Sequence, residues 1–414
     1  MLALTFDIGP VRWLACKAAG LLTPRAYCSA ISGLRLRDVP VPELPGPDWV
    51  RLRTRLGGIC GTDLAVVFLR HHPATILRSF SSFPAVLGHE NVAVVEKPGS
   101  AAAEWDVGRR VCVEPSLSCV PRGIAPPCPP CREGLFCLCQ NVLTGPIPPG
   151  TMIGANRLTG GSWGPYFVAH KSQLHAVPDG LSDEQAVLVD PLAGALHGVL
   201  QRPPVPGERV LVLGGGIIGI AVVASIRALE CSCHITAVVR HAHQEALIRA
   251  RGADTVLRWP RGLTQAHRYD RIADQVGGRR VSALFGNQML LGGFDLVYDC
   301  IGTGRSLTDA MKFTRPRGTV VEMGTSQISV VDVTPLWFSE ITLRGSYGRQ
   351  MERTGGTVRH TYQHVFEMLQ AGRLTTDGLL THTFALREYR AAFHVLAHRS
   401  AGSAVKVAFR HSGD

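Results

Sequence analysis

Apolar positions fall into two textures along the chain. From Met1 to about Val189 they come in short runs such as Trp49-Val-Arg-Leu-Arg-Thr54 and Val92-Ala-Val-Val-Glu96, cut by proline and glycine. Short apolar runs between turn formers predict strands, here a small antiparallel, barrel-like domain. From Leu192 onward strand-like runs alternate with helical stretches: Arg209-Val-Leu-Val-Leu213, an Ala- and Ile-rich helix, Ile235-Thr-Ala-Val-Val239, and a second helix ending near Gly252. Such alternation predicts parallel strands covered by helices, continued by Leu296–Cys300 and Thr319–Glu322. Beyond Gly348 a helix-like stretch, Val358 to Leu369, and a last strand, Ala404–Phe409, are expected to return to the first domain. Residues 259–293 show no clear period and receive no element, and no internal repeat or low-complexity tract is found. The domain limits that follow are 1–191, 192–348 and 349–414.

A chain of 414 residues exceeds what one hydrophobic core sustains, which agrees with two domains. The net charge of +11 raises the question of nucleic acid or an anionic membrane. Its arginines are scattered, without a basic run or aromatic-basic interleaving, and read as a genome-wide codon bias; neither partner is expected. The charge still favours anionic small molecules, phosphorylated cofactors included. Met1–Phe6 is strand-like and lacks the basic leader and cleavage site of a signal peptide, and no apolar run reaches the roughly 18 residues of a membrane span. A cytoplasmic placement is expected. In a reducing compartment, twelve cysteines point to metal chemistry before disulfides.

Five cysteines lie close together: Cys119, Cys128, Cys131, Cys137 and Cys139. Cys128 and Cys131, two residues apart, form a knuckle that holds two thiolates on one side of a metal, and Cys119 and Cys139 complete a tetrahedral set in a lobe at about 115–142, leaving Cys137 over. Four thiolates leave no open position, so the site is structural. Buried free thiols and an iron–sulfur cluster are the competing readings; the Pro- and Gly-rich context argues against the first.

Gly214-Gly215-Gly216-Ile217-Ile218-Gly219 follows a strand and opens an apolar helix, the context in which Gly-x-Gly-x-x-Gly brings a pyrophosphate to a helix N-terminus. Users of NAD place an acid about 20 residues on. Here Val239 is followed by Arg240 and His241, which suits a 2′-phosphate, so NADP is favoured over NAD; stacking of Arg240 on adenine, with NAD still accepted, is the alternative. His360 and His364 have the spacing of a zinc helix, but Thr361 stands where a metalloprotease needs Glu, and a solvated helix face is expected. His197 is read as packing. Gly58-Ile-Cys60-Gly-Thr62-Asp63 and Gly88-His89-Glu90 are each weak signals by themselves.

Together these motifs resemble the medium-chain, zinc-containing alcohol dehydrogenase family, in its polyol- and threonine-dehydrogenase-like branch, over nearly the whole chain. The resemblance implies an α/β protein: a GroES-like β-barrel catalytic domain interrupted by a Rossmann-type, doubly wound parallel-sheet cofactor domain, with the active cleft between them. It implies one catalytic and one structural zinc. Cys60 and His89 inherit the catalytic ligand roles. In Val189-Asp190-Pro191-Leu192-Ala193, Asp190 stands where the branch has an acidic ligand, although Asp-Pro also suits a helix N-cap and first position. Glu90 touches or orients the metal, and Thr62 resembles the hydroxyl that passes the proton outward. Many relatives continue the relay with a histidine where this chain has Ala65; His71 and His72 are remote substitutes. Gly302 and Gly324, ending two later strands, resemble walls around the nicotinamide. The activity implied is hydride transfer between an alcohol or polyol, or its aldehyde or ketone, and NAD(P), in a homodimer or homotetramer. An aldehyde reductase or dismutase of the same family, or an NADP-binding zinc protein without turnover, are the alternatives.

Overall fold

The computed structural model describes residues 1–325 and 327–411, and the chain forms two compact units. The first comprises Met1–Asp190, Arg349–Gln370 and Thr376–Asp414, and the second Pro191–Gly348 with Ala371–Thr375.

In the first unit the strand Trp49–Gly58 is the hub of a seven-stranded sheet. It pairs antiparallel with Asn91–Pro98, Tyr166–His170 and Lys406–Arg410, and Arg110–Val113, Leu174–Ala176 and Leu380–Ala385 complete the sheet. Alternate residues of the hub, Val50 and Leu52, are fully buried beside Val95, Val111 and Phe167, as expected for strands with one face on a core. A three-stranded sheet, Leu34–Asp38, Leu2–Phe6 and Ala85–Val86, lies over a second core with Phe68, Trp163 and Phe393. Two helical details differ from the sequence-based expectation. Pro10–Leu22 is a helix inside the stretch read as strands, and of its residues only Cys16 is buried, with Val11, Leu14, Leu21 and Leu22 outward. Of its larger apolar residues only Trp13 and Cys16 meet the core, too few for periodicity to give a signal. The stretch from Val358 begins instead as a strand, Thr357–His360, and the helix is Thr361–Gln370. His360 and His364 are buried rather than solvated, His364 bonding Thr354 Oγ1 at 3.0 Å and the Glu352 carbonyl at 3.0 Å.

The second unit is built on six parallel strands, Arg209–Leu213, His234–Val239, Thr255–Arg258, Phe294–Asp299, Thr314–Glu322 and Thr342–Gly345. Counted along the chain, their spatial order is 3-2-1-4-5-6, the doubly wound order in which ligands bind beyond the strand ends where the winding reverses. Val210 to Leu213 are all buried because helices cover both faces. The stretch 259–293 is structured: a helix, Gln265–Val276, followed by the hairpin Arg279–Ser282 and Gln288–Leu291. Thr264 caps the helix by accepting from His267 N, and Gly277 ends it in the left-handed region at φ 61°. No helix among the described residues is long and apolar enough to cross a membrane.

Two histidines of the first unit are held neutral. His175 stacks on His360 at 4.6 Å, and burial lowers its pKa to about 4; burial does the same to His411. Both folded values lie below the ordinary 6.5, so protons bind the unfolded chain more readily. Their contribution to stability is complete above about pH 6.5 and is lost as pH falls towards about 4. The thermal midpoint is expected to drop through this window, and His175→Gln, which cannot be protonated, should flatten the drop; an unchanged pH profile in the variant would refute the assignment.

Candidate active site

Cys60 ends the bend after the hub strand and is the N-cap of the helix Gly61–Val67. Asp63, three residues on, accepts from Cys60 N through Oδ2 at 2.9 Å, and its Oδ1 stands 3.2 Å from His89 Nδ1. One carboxylate thereby fixes the residue carrying a thiolate and holds an imidazole by Nδ1, leaving Nε2 for a metal, as outer partners of metal-binding histidines do. Asp63 belongs to the stretch singled out above, but its role is legible only as the Cys60-x-x-Asp63 cap spacing.

Ligand atoms of Cys60, His89 and Glu90 lie within 4.8 Å of one another, a thiolate, an imidazole and a carboxylate suited to zinc. Two glycines make the room. A Cβ on Gly58 would sit 2.2 Å from Glu90 Oε2, and one on Gly88, already at φ +92°, would sit 2.3 Å from Trp163 Cδ1. Thr62 Oγ1 is 3.8 Å from Cys60 Sγ. Ala65 is buried without an imidazole, His72 Nδ1 accepts from Ala74 N at 3.1 Å, and His71 Nδ1 is buried without a hydrogen bond among the described residues.

Asp190 does not join this group. Its oxygens take Arg349 Nη2 at 2.7 Å, Arg349 Nε at 2.6 Å and the Tyr362 hydroxyl. Nor is it an N-cap, since it lies inside the first turn of the helix Val189–Gln201. The two buried carboxylates differ electrostatically. Burial raises the Asp190 pKa, but Arg349 and His89 outweigh it and hold the group below its usual range. Glu90 is pushed up by burial, with Lys406 offsetting only part and Asp190 adding to the rise. Lys406 is its buried ion-pair partner. Glu90 is thus less fully compensated by positive charge than Asp190, and a dication beside Cys60 and His89 would suit it. Lys406, a lone lysine in the apolar strand Ala404–Phe409, was the available signal for a buried ion pair; Arg349 and Tyr362 offered none.

The other cysteine group fits zinc closely. Sγ atoms of Cys119, Cys128, Cys131 and Cys139 lie within 4.8 Å of one another, with Cys119 to Cys139 at 3.6 Å and Cys128 to Cys139 at 4.0 Å. Thiolates held tetrahedrally at about 2.3 Å from zinc stand roughly 3.8 Å apart. Backbone donors face these sulfurs: Cys128 N to Cys119 at 3.3 Å, Gln140 N to Cys128 at 3.5 Å and Asn141 N to Cys139 at 3.3 Å. Burial opposes ionisation of Cys128, yet hydrogen bonds led by Gln140 bring its pKa down to about 7. Cys137 stands apart on Ser116 Oγ at 2.9 Å, and burial pushes its thiol up to about 11.

In the second unit Gly214 takes φ +108°, Gly216 caps Ile217–Ala228 without a side chain, and Ile218 lies in that helix's first turn. A Cβ on Gly219 would approach Gly214 O to 1.7 Å, so the turn and the helix meet only through glycine. Gly302 and Gly324 cross equally closely: a Cβ on Gly324 would lie 2.1 Å from Gly302 N. Gln244 Oε1 accepts from Arg240 N and His241 N, each at 3.1 Å, fixing the turn that presents Arg240. Arg268, over the Trp259 ring at 5.6 Å, has its pKa lowered by burial and then by the like charges of Arg305 and Arg240. Asp309 lies among these three guanidinium groups and offsets part of their mutual repulsion. His197 is buried beside Gln201, consistent with packing.

Residues 46–179 match the alcohol dehydrogenase GroES-like domain family, and residues 218–371 match the zinc-binding dehydrogenase family. The chain is 28% identical to L-threonine 3-dehydrogenase of Legionella pneumophila, over 90% of this chain and 96% of that protein. It is 27% identical to L-idonate 5-dehydrogenase of Vitis vinifera, over 93% of each chain. Zinc-dependent alcohol dehydrogenase 2 from Streptococcus pneumonia shares the fold at a TM-score of 0.75 with 20% identity, over 100% of this chain and 99% of that one.

Arg349→Met is expected to cost about 3–5 kcal/mol, because it leaves a buried carboxylate unpaired. The double variant with Asp190→Leu should recover most of that loss. Urea unfolding of the three proteins measures both; equal loss in the double variant would show that Asp190 matters for something other than this pair.

Proposed function

Because the chain belongs to the medium-chain, zinc-dependent alcohol dehydrogenase family, in its polyol- and threonine-dehydrogenase branch, and is an oxidoreductase moving hydride between an alcohol and NAD(P), we propose how its own residues divide that work. The observation that carries the reading is the Cys60, His89 and Glu90 group with Asp63 behind it.

Zinc held there would make the alcohol proton easier to lose near neutral pH, and a nicotinamide bound alongside would supply the hydride acceptor. Cys60, His89 and Glu90 hold the metal, in place of the set with Asp190. Asp63 keeps His89 in the tautomer that offers Nε2. Lys406 holds Glu90 in one orientation. The Thr62 hydroxyl takes the proton released by the substrate and hands it to water, since Ala65 offers no further base. Asp190, Arg349 and Tyr362 form a neutral buried brace. Cys119, Cys128, Cys131 and Cys139 hold a second, structural zinc. Gly214, Gly216, Ile217, Ile218 and Gly219 admit the pyrophosphate to the helix N-terminus, and Gly302 and Gly324 leave the backbone smooth beside the nicotinamide. Arg240, with His241 behind it and Arg268 and Arg305 as neighbours, favours NADP over NAD through the 2′-phosphate. A homodimer or homotetramer is supported by the outermost strand Thr342–Gly345, exposed along its length, next to exposed Trp337 and Phe338.

Elemental analysis of the purified protein is expected to give about two zincs per chain, falling to about one in Cys60→Ala and Glu90→Gln with the fold intact, and staying at two in Asp190→Asn. One zinc in both wild type and Cys60→Ala would overturn the catalytic site. For the cofactor, kcat/KM with NADP should exceed that with NAD, and Arg240→Ser should reduce the ratio by about 10-fold or more, the worth of a charged hydrogen bond.

A further inference from the structure

The helix Pro10–Leu22 is apolar on both faces, and only one of them is used inside the first unit. On the inner face Trp13 packs on the core that holds Phe68 and Phe393, Cys16 Sγ donates to the Ala26 carbonyl at 3.7 Å, and Gly20 leaves room for the Tyr27 ring. Two cations fasten the helix to its surroundings: Arg12 donates to the Ser32 carbonyl, and Lys17 Nζ donates to the Leu69 carbonyl at 2.6 Å. The outer face is therefore held in one orientation. It carries Val11, Leu14, Ala15, Ala18, Leu21 and Leu22, which helical spacing places on one stripe about 16 Å long. All six are exposed, Val11 to 80%, Leu14 to 64%, Leu21 to 82% and Leu22 to 90%, and no polar residue of the helix interrupts them. Exposed Ile76 and Leu77 lie on a short turn whose Arg78 Nη2 reaches the Ile8 carbonyl at 3.4 Å, next to the start of the stripe.

The border of this stripe is cationic. From Ile8 to Arg37 the chain holds Arg12, Lys17, Arg25, Arg35 and Arg37 and no acid, and from Leu64 to His89 it holds Arg70 and Arg78 and no acid. Packing draws these segments together, through Lys17 on Leu69 and Arg78 on Ile8, and Arg390 from the helix Tyr389–Ala397 joins them by donating to the Cys28 carbonyl at 3.1 Å. These contacts are all to backbone carbonyls, which leave the positive charge unanswered. Among the described residues none of Arg12, Lys17, Arg25, Arg78 and Arg390 pairs with a carboxylate. Of the two acids that bracket the first segment, Asp38 is taken by the N-terminal ammonium at 2.8 Å, leaving Asp7. Other surface arginines of this unit do meet acids: Arg51 meets Glu96, Arg55 meets Asp183 and Arg410 meets Glu184.

An outward apolar row bordered by unpaired cations matches an anionic lipid surface, where apolar side chains enter the acyl boundary and cations meet the phosphates. A second copy fits worse, because a two-fold contact would set this cationic border against itself with no acid to answer it. We propose that the outer face of Pro10–Leu22 docks the protein on an anionic membrane surface, with Leu14, Leu21 and Leu22 in the lipid and Arg25 and Arg78 at the phosphates. Read along the chain, the basic residues are scattered and predict no membrane partner; the fold collects them around one apolar face. Docking through a single short stripe is peripheral and reversible.

Co-sedimentation of the full chain with vesicles of phosphatidylcholine alone, and of its equimolar mixture with phosphatidylglycerol, measures the docking. Binding to the mixed vesicles is expected to exceed binding to phosphatidylcholine by about 10-fold or more, and to weaken in about 1 M salt, where the screening length is about 3 Å. The double variant Leu14→Glu, Leu22→Glu should lose about 10-fold or more on the mixed vesicles. Arg25→Glu with Arg78→Glu should lose about 10-fold there and leave binding to phosphatidylcholine unchanged. The substituted side chains are exposed, so circular dichroism of both variants should match that of the wild type; if the leucine variant unfolds, the arginine variant and the salt dependence decide. Absence of binding to either vesicle, equal binding to both, or unchanged binding in the folded variants would overturn the proposal. So would a lipid-free mass, by analytical ultracentrifugation, that falls in Leu14→Glu, Leu22→Glu, since a second copy would then cover the stripe.

Discussion

The first unit depends on the carboxylate of Asp63. It reaches Cys60 N with one oxygen and His89 Nδ1 with the other, and so joins the start of one helix to a loop more than twenty positions along the chain. The backbones of the two segments are already paired, Gly57 opposite Asn91 and Gly58 N donating to the Glu90 carbonyl at 3.0 Å, and the bridge adds the orientation of the Cys60 and His89 groups to that pairing. With it the thiol and the imidazole are already placed for the metal proposed above. The same carboxylate sets the tautomer of the imidazole, so placement and ligand chemistry come from one side chain. The neighbouring glycines follow from this constraint: His89 and Glu90 can face Cys60 only if residue 88 adopts positive φ against Trp163 and residue 58 has no Cβ in the path of Glu90.

Around that bridge the buried charges are sorted in pairs. Lys406 answers Glu90, and Arg349 with Tyr362 answers Asp190. The pairs are unequal, because Asp190 receives a two-pronged guanidinium and a hydroxyl whereas Glu90 receives one ammonium. That inequality is the ground on which Glu90, and not Asp190, is proposed to meet the metal. Removing either cation would leave a charge in a medium that cannot solvate it, so the pairs also make the centre rigid.

Legibility in the sequence follows the distance over which each feature is determined. The turn Gly214–Gly219 and the knuckle Cys128–Cys131 can be read directly, since local backbone geometry and ligand spacing define them. The parallel sheet is readable from its buried runs. Asp190 sits in a setting that its local sequence does not announce, because its partner Arg349 is 159 residues away and nothing in Asp-Pro-Leu reports it. The helix Gln265–Val276 escapes notice because its apolar stripe of Tyr269, Ile272, Ala273 and Val276 is diluted by charged and polar neighbours. Pro10–Leu22 escapes for the opposite reason: its apolar side chains point outward, so its pattern reports no core.

The excess of basic residues gains a different meaning from its placement. As a total, +11 says only that the chain is cationic, and scattered arginines in the sequence read as composition. Folding brings Arg268 near Arg305 and Arg240, with the Asp309 carboxylate among them as counter-charge. Arginines from distant segments do not converge by composition alone, since like charges repel and most of this chain's crowded arginines are paired with acids or carbonyls. One carboxylate among three guanidinium groups still leaves an excess of positive charge in the second unit, where the turn after Val239 presents Arg240. A phosphorylated cofactor of the kind proposed above would offset that excess, and its anion would then be part of the electrostatic balance of this unit.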